Sequence, residues 1–412
     1  MSSDAPLFEP AAFGLSAREA AFTTQARELA ASRFAARAAD YDREARFPTE
    51  NYADLRDAGL LALCVPAEYG GRGANYREYM LTAAEIGRYC GATALTFNMH
   101  VCSCLWSGAL ADTLDMSAEE RAEHHRRRAL HYARIVAAGK VYAQPFSEGG
   151  AAAAGAAPFA TTAEQVDGGY VVRGRKIFAS LSGHADYYGV LCTVPGSDGA
   201  LSRRNTLYLA VAARAPGVSV SGDWDPLGMR GTVSRNLLFE DVFVPADEAL
   251  MPAGIYYQAA MRWPHMFMTL TPAYVGLAQA AYDFTVKYLR GEWPGYPQDR
   301  REGAAKKVNV AQMRIALEQM KCLWLQAVTE ARLDPSREQL ARAHAAQYSV
   351  METANELAQL AIRTCGGQSM LKTLPLERLY RDSRCGALML PWSADLCIER
   401  IGDAALLGDP AA

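Results

Sequence analysis

The chain has 412 residues, half of them apolar, and a formal net charge of −3 at pH 7. That length exceeds one small core and suits two or three packed domains. The near-neutral balance excludes the basic excess of a nucleic-acid binder, and no apolar run approaches the ~20 residues of a membrane span.

Residues 1–6 lack the basic and apolar regions of a secretory signal, which sets a cytoplasmic expectation. Apolar spacing predicts a helix over 18–39, with Ser16 placed to cap it. A second helix over 121–135 carries His124, His125, Arg126, Arg127 and Arg128, a run expected on a solvated face. From Lys140 the pattern changes: 170–174, 187–193, 206–212 and 237–244 are short β-branched and aromatic runs between Gly, Pro and Asp, as strands should be. After Met251 helical periodicity returns over 271–288, 308–332 and 340–364. Such long amphipathic helices with short links imply a four-helix bundle. The exception is the Pro/Gly-rich stretch 291–303, which by its length is expected to be functional or mobile. The expected domains are 1–138 (helical), 139–250 (β) and 251–412 (helical bundle).

Nine scattered cysteines, with no C-x-x-C pair, read as buried free thiols. The seven histidines lack zinc-site spacing, so no metal is expected.

Four segments in order carry a resemblance. They are 57–60 with the Gly-rich turn 65–73, the strand 174–180, the pair 227–232 and 239–245, and Arg363-Thr364-Cys365-Gly366-Gly367-Gln368 followed by 376–382. Together the chain resembles the acyl-CoA dehydrogenase superfamily over nearly its whole length. The resemblance implies an α+β, mostly α fold: an N-terminal helical domain, a middle β-barrel or sandwich domain, and a C-terminal four-helix bundle that forms homodimers or homotetramers.

It also implies a flavin, with FAD expected and FMN as the alternative if the adenosine end of the site is degraded. Reduced flavin carries negative charge near N1 and needs apolar walls and edge donors. By the resemblance those come from Tyr142, Gln144 and Ser147 in one turn and from Phe178 and Ser180 on a strand. Pro145 stands where the family has threonine and has no N–H to donate. Arg363, Gly366, Gly367 and Gln368 are the expected diphosphate clamp, glycines letting backbone approach a pyrophosphate closely. A C-cap glycine pair is the other reading of those residues. The family's Arg-x-x-Phe at the end of the helix over 271–288 is missing: Arg290 is followed by the Pro/Gly-rich loop.

For catalysis the resemblance implies a carboxylate base. Trp392 and Ser393 occupy the usual tyrosine and glutamate positions, and Met266 and Phe267 the minority glutamate and arginine positions. Asp395 is the nearest carboxylate, with helix capping as its other role. His100 falls on a helix that lines the family's acyl pocket, and a histidine has a comparable place in a branch that includes dibenzothiophene and hydroxyphenylacetate monooxygenases. The catalytic candidates are therefore Asp395, His100 and Ser393, and the pocket candidates His100, Met266 and Trp392. The CoA-contacting Gly-Ser-Asp of the family reads Gly150-Ala151-Ala152 here. The expected activity is FAD-dependent oxidation of an acyl thioester carried by CoA or a carrier protein. A reduced-flavin monooxygenase and a non-catalytic scaffold are the alternatives. An electron-transfer flavoprotein or a flavin reductase is the expected redox partner.

Overall fold

The computed structural model describes residues 5–149, 152 and 157–407. Helices α1 (Pro10–Phe13), α2 (Ala17–Leu29), α3 (Ala35–Glu44), α4 (Thr49–Asp57), α5 (Tyr76–Tyr89), α6 (Gly91–Leu105) and α7 (Ala118–Ala138) come first. Ser16 and Glu19 cap α2 reciprocally: each side chain accepts the other's N–H, at 3.2 and 2.7 Å. Helix α6 is buried on nearly every side, and its apolar sequence has no polar face to turn to water. The solvated face expected for α7 is corrected: His124 and Arg128 are buried, bonded to the Ser107 carbonyl (2.7 Å) and Asp112 (2.7 Å). Their polarity serves inter-helix joints that a charge run alone does not reveal.

The middle of the chain forms β1 (Tyr142–Ala143), β2 (Thr162–Val166), β3 (Gly169–Ala179), β4 (Tyr187–Thr193), β5 (Thr206–Ala212), β6 (Val218–Ser221), β7 (Arg235–Pro245) and β8 (Ala249–Met251). They pair in the order β6-β7-β3-β2-β4-β5-β8, with β1 parallel to β4. Strands β4 and β5 are almost wholly buried, whereas β2 and β6 alternate or face water. That explains why only the former stand out as apolar runs.

The remainder is helical: α8 (Ile255–Arg262), α9 (Thr271–Arg290), α10 (Ala304–Thr329), α11 (Arg337–Cys365), α12 (Leu376–Cys385) and α13 (Ala394–Leu406). Helix α5 crosses α9 at backbone contact. A Cβ on Gly276 would lie 2.3 Å from the Arg88 nitrogen, and one on Gly87 2.7 Å from the Ala273 carbonyl. The stretch 291–303 is folded onto the end of α9. Trp293 meets Phe284 edge-on at 4.8 Å, and the Arg300 guanidinium lies 4.6 Å above the Tyr288 ring.

A second junction joins all three parts of the chain. Arg381 of α12 donates to both Asp42 oxygens (3.0 and 2.6 Å), to Glu377 (2.8 Å) and to the Leu227 carbonyl (3.0 Å). Its neighbour Asp382, buried, accepts the Met229 N–H at 2.5 Å. Between them Gly228 leaves no room for a side chain, since a Cβ would sit 2.3 Å from the Arg381 carbonyl.

Five buried histidines give the fold a pH dependence. Burial pushes His100, His124 and His265 down to about 4, and His131 and His344 to about 3. Each stays neutral when folded yet takes a proton near its ordinary 6.5 when unfolded. Their contribution is fully present above pH 6.5 and drains away as pH falls toward 4. Asp382, raised by burial to about 6, and Glu85, also raised by burial, work in the opposite direction but are two groups against five. Calorimetry should show a Tm that falls steadily below pH 6.5; a Tm unchanged down to pH 4.5 would contradict this account.

Candidate functional site

The segment after β1 is fixed by a buried ion pair. Lys176 of β3 is fully buried, its Nζ 2.6 Å from Glu148 Oε1 and 2.6 Å from the Leu191 carbonyl, and 4.4 Å above the Phe159 ring. Glu148 also accepts the N–H groups of Ala160 (2.7 Å) and Thr161 (3.0 Å). Burial alone would raise the Glu148 carboxyl, but Lys176 and these donors hold it below the usual range. One carboxylate thereby pins both ends of the segment that spans 148–161.

At the end of β3 the pairing with β7 skips between Lys176 and Ala179, and the bulge turns Phe178 outward. Its φ is +50°, a left-handed conformation costing a bulky residue roughly 1–2 kcal/mol, and its side chain is 68% exposed. The ring meets Trp224 edge-on at 6.4 Å. Two residues on, the Ser180 hydroxyl lies 2.8 Å from that of Ser234, which lies 2.7 Å from that of Thr232. Of the donors Ser180 was expected to offer, its N–H is engaged: it donates to the Phe178 carbonyl at 3.1 Å and closes the bulge. An outward aromatic ring and, two residues on, a chain of hydroxyls suit one wall and one polar edge of an isoalloxazine.

The other flavin candidates have structural partners. Tyr142 is buried, its hydroxyl 3.1 Å from His131 Nδ1. Gln144 donates to the Tyr208 hydroxyl (2.8 Å), and the Ser147 carbonyl accepts the Ile177 N–H (2.8 Å). Gly366 caps α11, with φ +83° and its N–H bonded to Ile362. Among the described residues a Cβ on Gly366 or Gly367 would meet nothing within 4 Å. Gln368 accepts the Tyr288 hydroxyl at 2.9 Å, and Arg363 is exposed.

A cavity of about 770 Å³ opens between α8, α11, α13 and the residues before β5. Its wall includes Tyr256, Phe267, His344, Trp392, Arg400 and, from the segment after β1, Ala152. Trp392 packs against His344 (ring centroids 4.3 Å apart) and Phe267 (5.8 Å). Among the described residues the wall holds three arginines, Arg203, Arg337 and Arg400, and one carboxylate, Asp403. Gly150 and Ala151 lie outside the described residues.

The catalytic candidates are not brought together. His100 is fully buried, its Nδ1 accepting the Tyr142 N–H (3.0 Å) and its Nε2 2.9 Å from the Leu61 carbonyl. Both ring nitrogens serve the main chain, so His100 is a joint between α6 and β1 and is absent from the wall of this cavity. Met266 is also fully buried, behind the wall in which Phe267 stands. Ser393, not Asp395, caps α13, accepting the Leu396 N–H. Asp395 is exposed in the first turn and is absent from the cavity wall. His344 and Arg400 were missed by sequence reasoning because nothing local marks them; α11 and α13 bring them together from 56 positions apart.

The acyl-CoA dehydrogenase N-terminal, middle and C-terminal domain families match residues 16–111, 144–242 and 258–389. L-evernosamine nitrososynthase of a Micromonospora species is 31% identical over 397 residues, covering 91% of this chain and 87% of its own. The chain belongs to the acyl-CoA dehydrogenase family. Human mitochondrial short-chain specific acyl-CoA dehydrogenase is 29% identical over 351 residues, 84% of this chain and 80% of its own. Among solved structures, KijD3 in complex with FMN and dTDP-3-amino-2,3,6-trideoxy-4-keto-3-methyl-D-glucose superposes with a TM-score of 0.81 at 24% identity, covering 98% and 97% of the two chains. The dibenzothiophene monooxygenase TdsC of Paenibacillus, in a complex with FMN and indole, does so at 0.79 and 22%, covering 94% and 98%. Members of the family share this three-domain fold, mostly helical with a central sheet, and the chain is an acyl-CoA dehydrogenase-like flavoprotein by descent.

Removing one partner of the buried pair leaves the other uncompensated. Glu148→Gln should cost about 3 kcal/mol in urea unfolding, and the double change Glu148→Gln with Lys176→Met should recover most of that loss. A double variant no more stable than the single one would show that the two charges are not coupled.

Proposed function

We propose that this protein is a reduced-flavin-dependent monooxygenase that oxygenates the nitrogen of a small amine. The observation that carries the reading is the cavity wall. Removing an α proton needs a carboxylate poised over the substrate. Yet the two positions at which the resemblance places such a base hold Ser393 and Met266, and Asp395 faces solvent away from the cavity. Oxygenation of an amine needs no such base. It needs the nitrogen lone pair, and cations nearby favour the neutral amine over the ammonium. Three arginines against one aspartate supply that bias. The 31% identity to L-evernosamine nitrososynthase supports the same chemistry.

A reduced flavin held beside Phe178 would, with dioxygen, supply one oxygen atom and two electrons, the second oxygen leaving as water. The protein's share is placement. Phe178 offers a face for the ring, and the hydroxyls of Ser180, Ser234 and Thr232 offer hydrogen bonds to its polar edge. Trp392, Phe267 and Tyr256 keep water from the substrate side. The electrons then come from a flavin reductase. We read Gly366, Gly367 and Arg363 as a surface that a second copy of the chain completes, because among the described residues nothing lies within 4 Å of a Cβ added at either glycine. FAD with its diphosphate at that surface, or FMN without it, remain the two forms; flavin released by heat and separated by chromatography distinguishes them.

Dehydrogenation of an acyl thioester is the second reading, supported by relatives such as the human short-chain enzyme. The two diverge in one experiment. Supplied with reduced flavin and oxygen, the protein should convert a member of a panel of amines, amino sugars included, to a product heavier by one oxygen atom. Flavin-loaded protein mixed anaerobically with a panel of acyl-CoAs should keep its colour. Bleaching by an acyl-CoA would establish the dehydrogenase reading instead, with Asp395→Asn then testing the base. Protein that takes up no flavin would sink both. Phe178→Ala should weaken flavin binding by about tenfold, roughly 1.4 kcal/mol, while leaving Tm unchanged because the ring is exposed.

A further inference from the structure

Arg400 is the anomaly of the cavity wall. Several other arginines that are buried or half-buried face carboxylates: Arg381 meets Asp42 at 2.6 Å, Arg134 meets Glu248 at 2.7 Å, and Arg128 meets Asp112 at 2.7 Å. Arg400 lies half-buried on α13 and, among the described residues, has no carboxylate within ion-pair reach. Its nearest polar partner is an imidazole, with Nη1 3.3 Å from His344 Nε2. A guanidinium can only donate, so His344 Nε2 is the acceptor and its proton sits on Nδ1. The guanidinium carbon is also 6.0 Å from the centre of the Trp392 ring.

The groups beside it are donors too. Trp392 is 1% exposed and among the described residues its Nε1–H has no acceptor, an orphan in a residue that lines the cavity. Its carbonyl is taken by Gln347 Nε2 at 2.9 Å, which fixes the indole's position. Arg337, on the same wall, donates to the Ala404 carbonyl and so ties the start of α11 to the end of α13. Asp403, a turn beyond Arg400, is the one acid of the wall among the described residues and does not pair with Arg400. A buried cation without a counter-charge and a buried N–H without an acceptor each carry a desolvation penalty. One ligand feature relieves both: an oxyanion.

We propose that Arg400, Trp392 and His344 form a subsite for an oxyanion of the substrate, a phosphate or a carboxylate. It rests on the reading of this cavity as the substrate site. Arg400 supplies the charge, the Trp392 indole a directional donor, and His344 holds the guanidinium in place through its lone pair. The substrate thus carries, besides its reacting group, a negatively charged handle at the α13 side of the cavity.

The test uses the full chain as purified. Inorganic pyrophosphate, malonate and, as a cationic control, ethylenediamine are titrated by calorimetry. Pyrophosphate or malonate should bind while ethylenediamine gives no heat; the anion preferred identifies the phosphate or the carboxylate form of the handle. Arg400→Gln should weaken anion binding at least tenfold, with Arg400→Lys intermediate because a point charge replaces the planar fork. Stability separates a ligand role from a structural one. Removing an uncompensated cation should leave the Tm of Arg400→Gln, measured without anions, equal to or above that of the unmodified chain. Failure of both anions to bind, equal binding by Arg400→Gln, or a Tm lowered by several degrees would each overturn the proposal. Because none of these readouts needs turnover, anion binding without amine oxygenation would count against the proposed reaction alone.

Discussion

The junction of Arg381 and Asp382 with Asp42 and residues 227–229 sets the geometry on which the rest depends. Helix α12 alone would be a short amphipathic element. Through Arg381 it grips α3 of the N-terminal part by a bidentate pair, and through Asp382 it accepts a main-chain N–H of the β domain. Partly buried pairs of this kind contribute little net stability against apolar replacements, because desolvation offsets much of the attraction. Their effect is on register: a guanidinium fork meets a carboxylate in few orientations. Gly228 enforces the same register sterically, since α12 lies against its backbone. The Gly87–Gly276 crossing of α5 and α9 does the equivalent work between the two helical parts.

With the domains so held, the candidate cavity is defined by elements that could otherwise drift apart. Tyr256 comes from α8, Phe267 from the turn before α9, His344 from α11, and Trp392 and Arg400 from the last part of the chain. The β domain contributes through the Glu148–Lys176 pair, which draws the segment after β1 back to β3 and leaves Ala152 in the cavity wall. The Phe178 bulge is a local consequence of the same strand. Lys176 points inward to its partner, the register then slips, and the next aromatic is turned out to solvent at positive φ. Strain of that kind persists only where the surroundings over-determine it.

Much of this frame was legible in the sequence because it is written in local patterns. Strands 187–193 and 206–212 are continuous apolar runs bounded by turn residues, and the structure has them at those limits. Ser16 announces its helix by capping chemistry. Strands β2 and β6, with residues TAEQV and VSVS, are short and largely turned to water, so no apolar run marks them. His100 and His124 were misread for opposite reasons: a buried histidine on an apolar helix suggests a site, and a histidine in a charged run suggests solvent. In both cases the deciding fact is a carbonyl or N–H far away in sequence. The same holds for Arg400, whose significance lies in the carboxylate it lacks.

The family fold therefore constrains the place of chemistry more tightly than its kind. Sequence relatives at similar identity include a dehydrogenase and a nitrososynthase, so overall similarity does not choose between removing a proton from carbon and adding oxygen to nitrogen. A handful of side chains does. A carboxylate at the turn before α13 would make the cavity wall a proton acceptor, whereas Trp392 makes it a donor, and Arg400 and Arg337 add positive charge to the same wall. A wall of donors stabilises negative charge on a ligand and disfavours an ammonium within it. A substrate that enters with a free amine and an anionic handle satisfies both conditions at once: the handle is held by the cations, and those cations keep the amine's lone pair available.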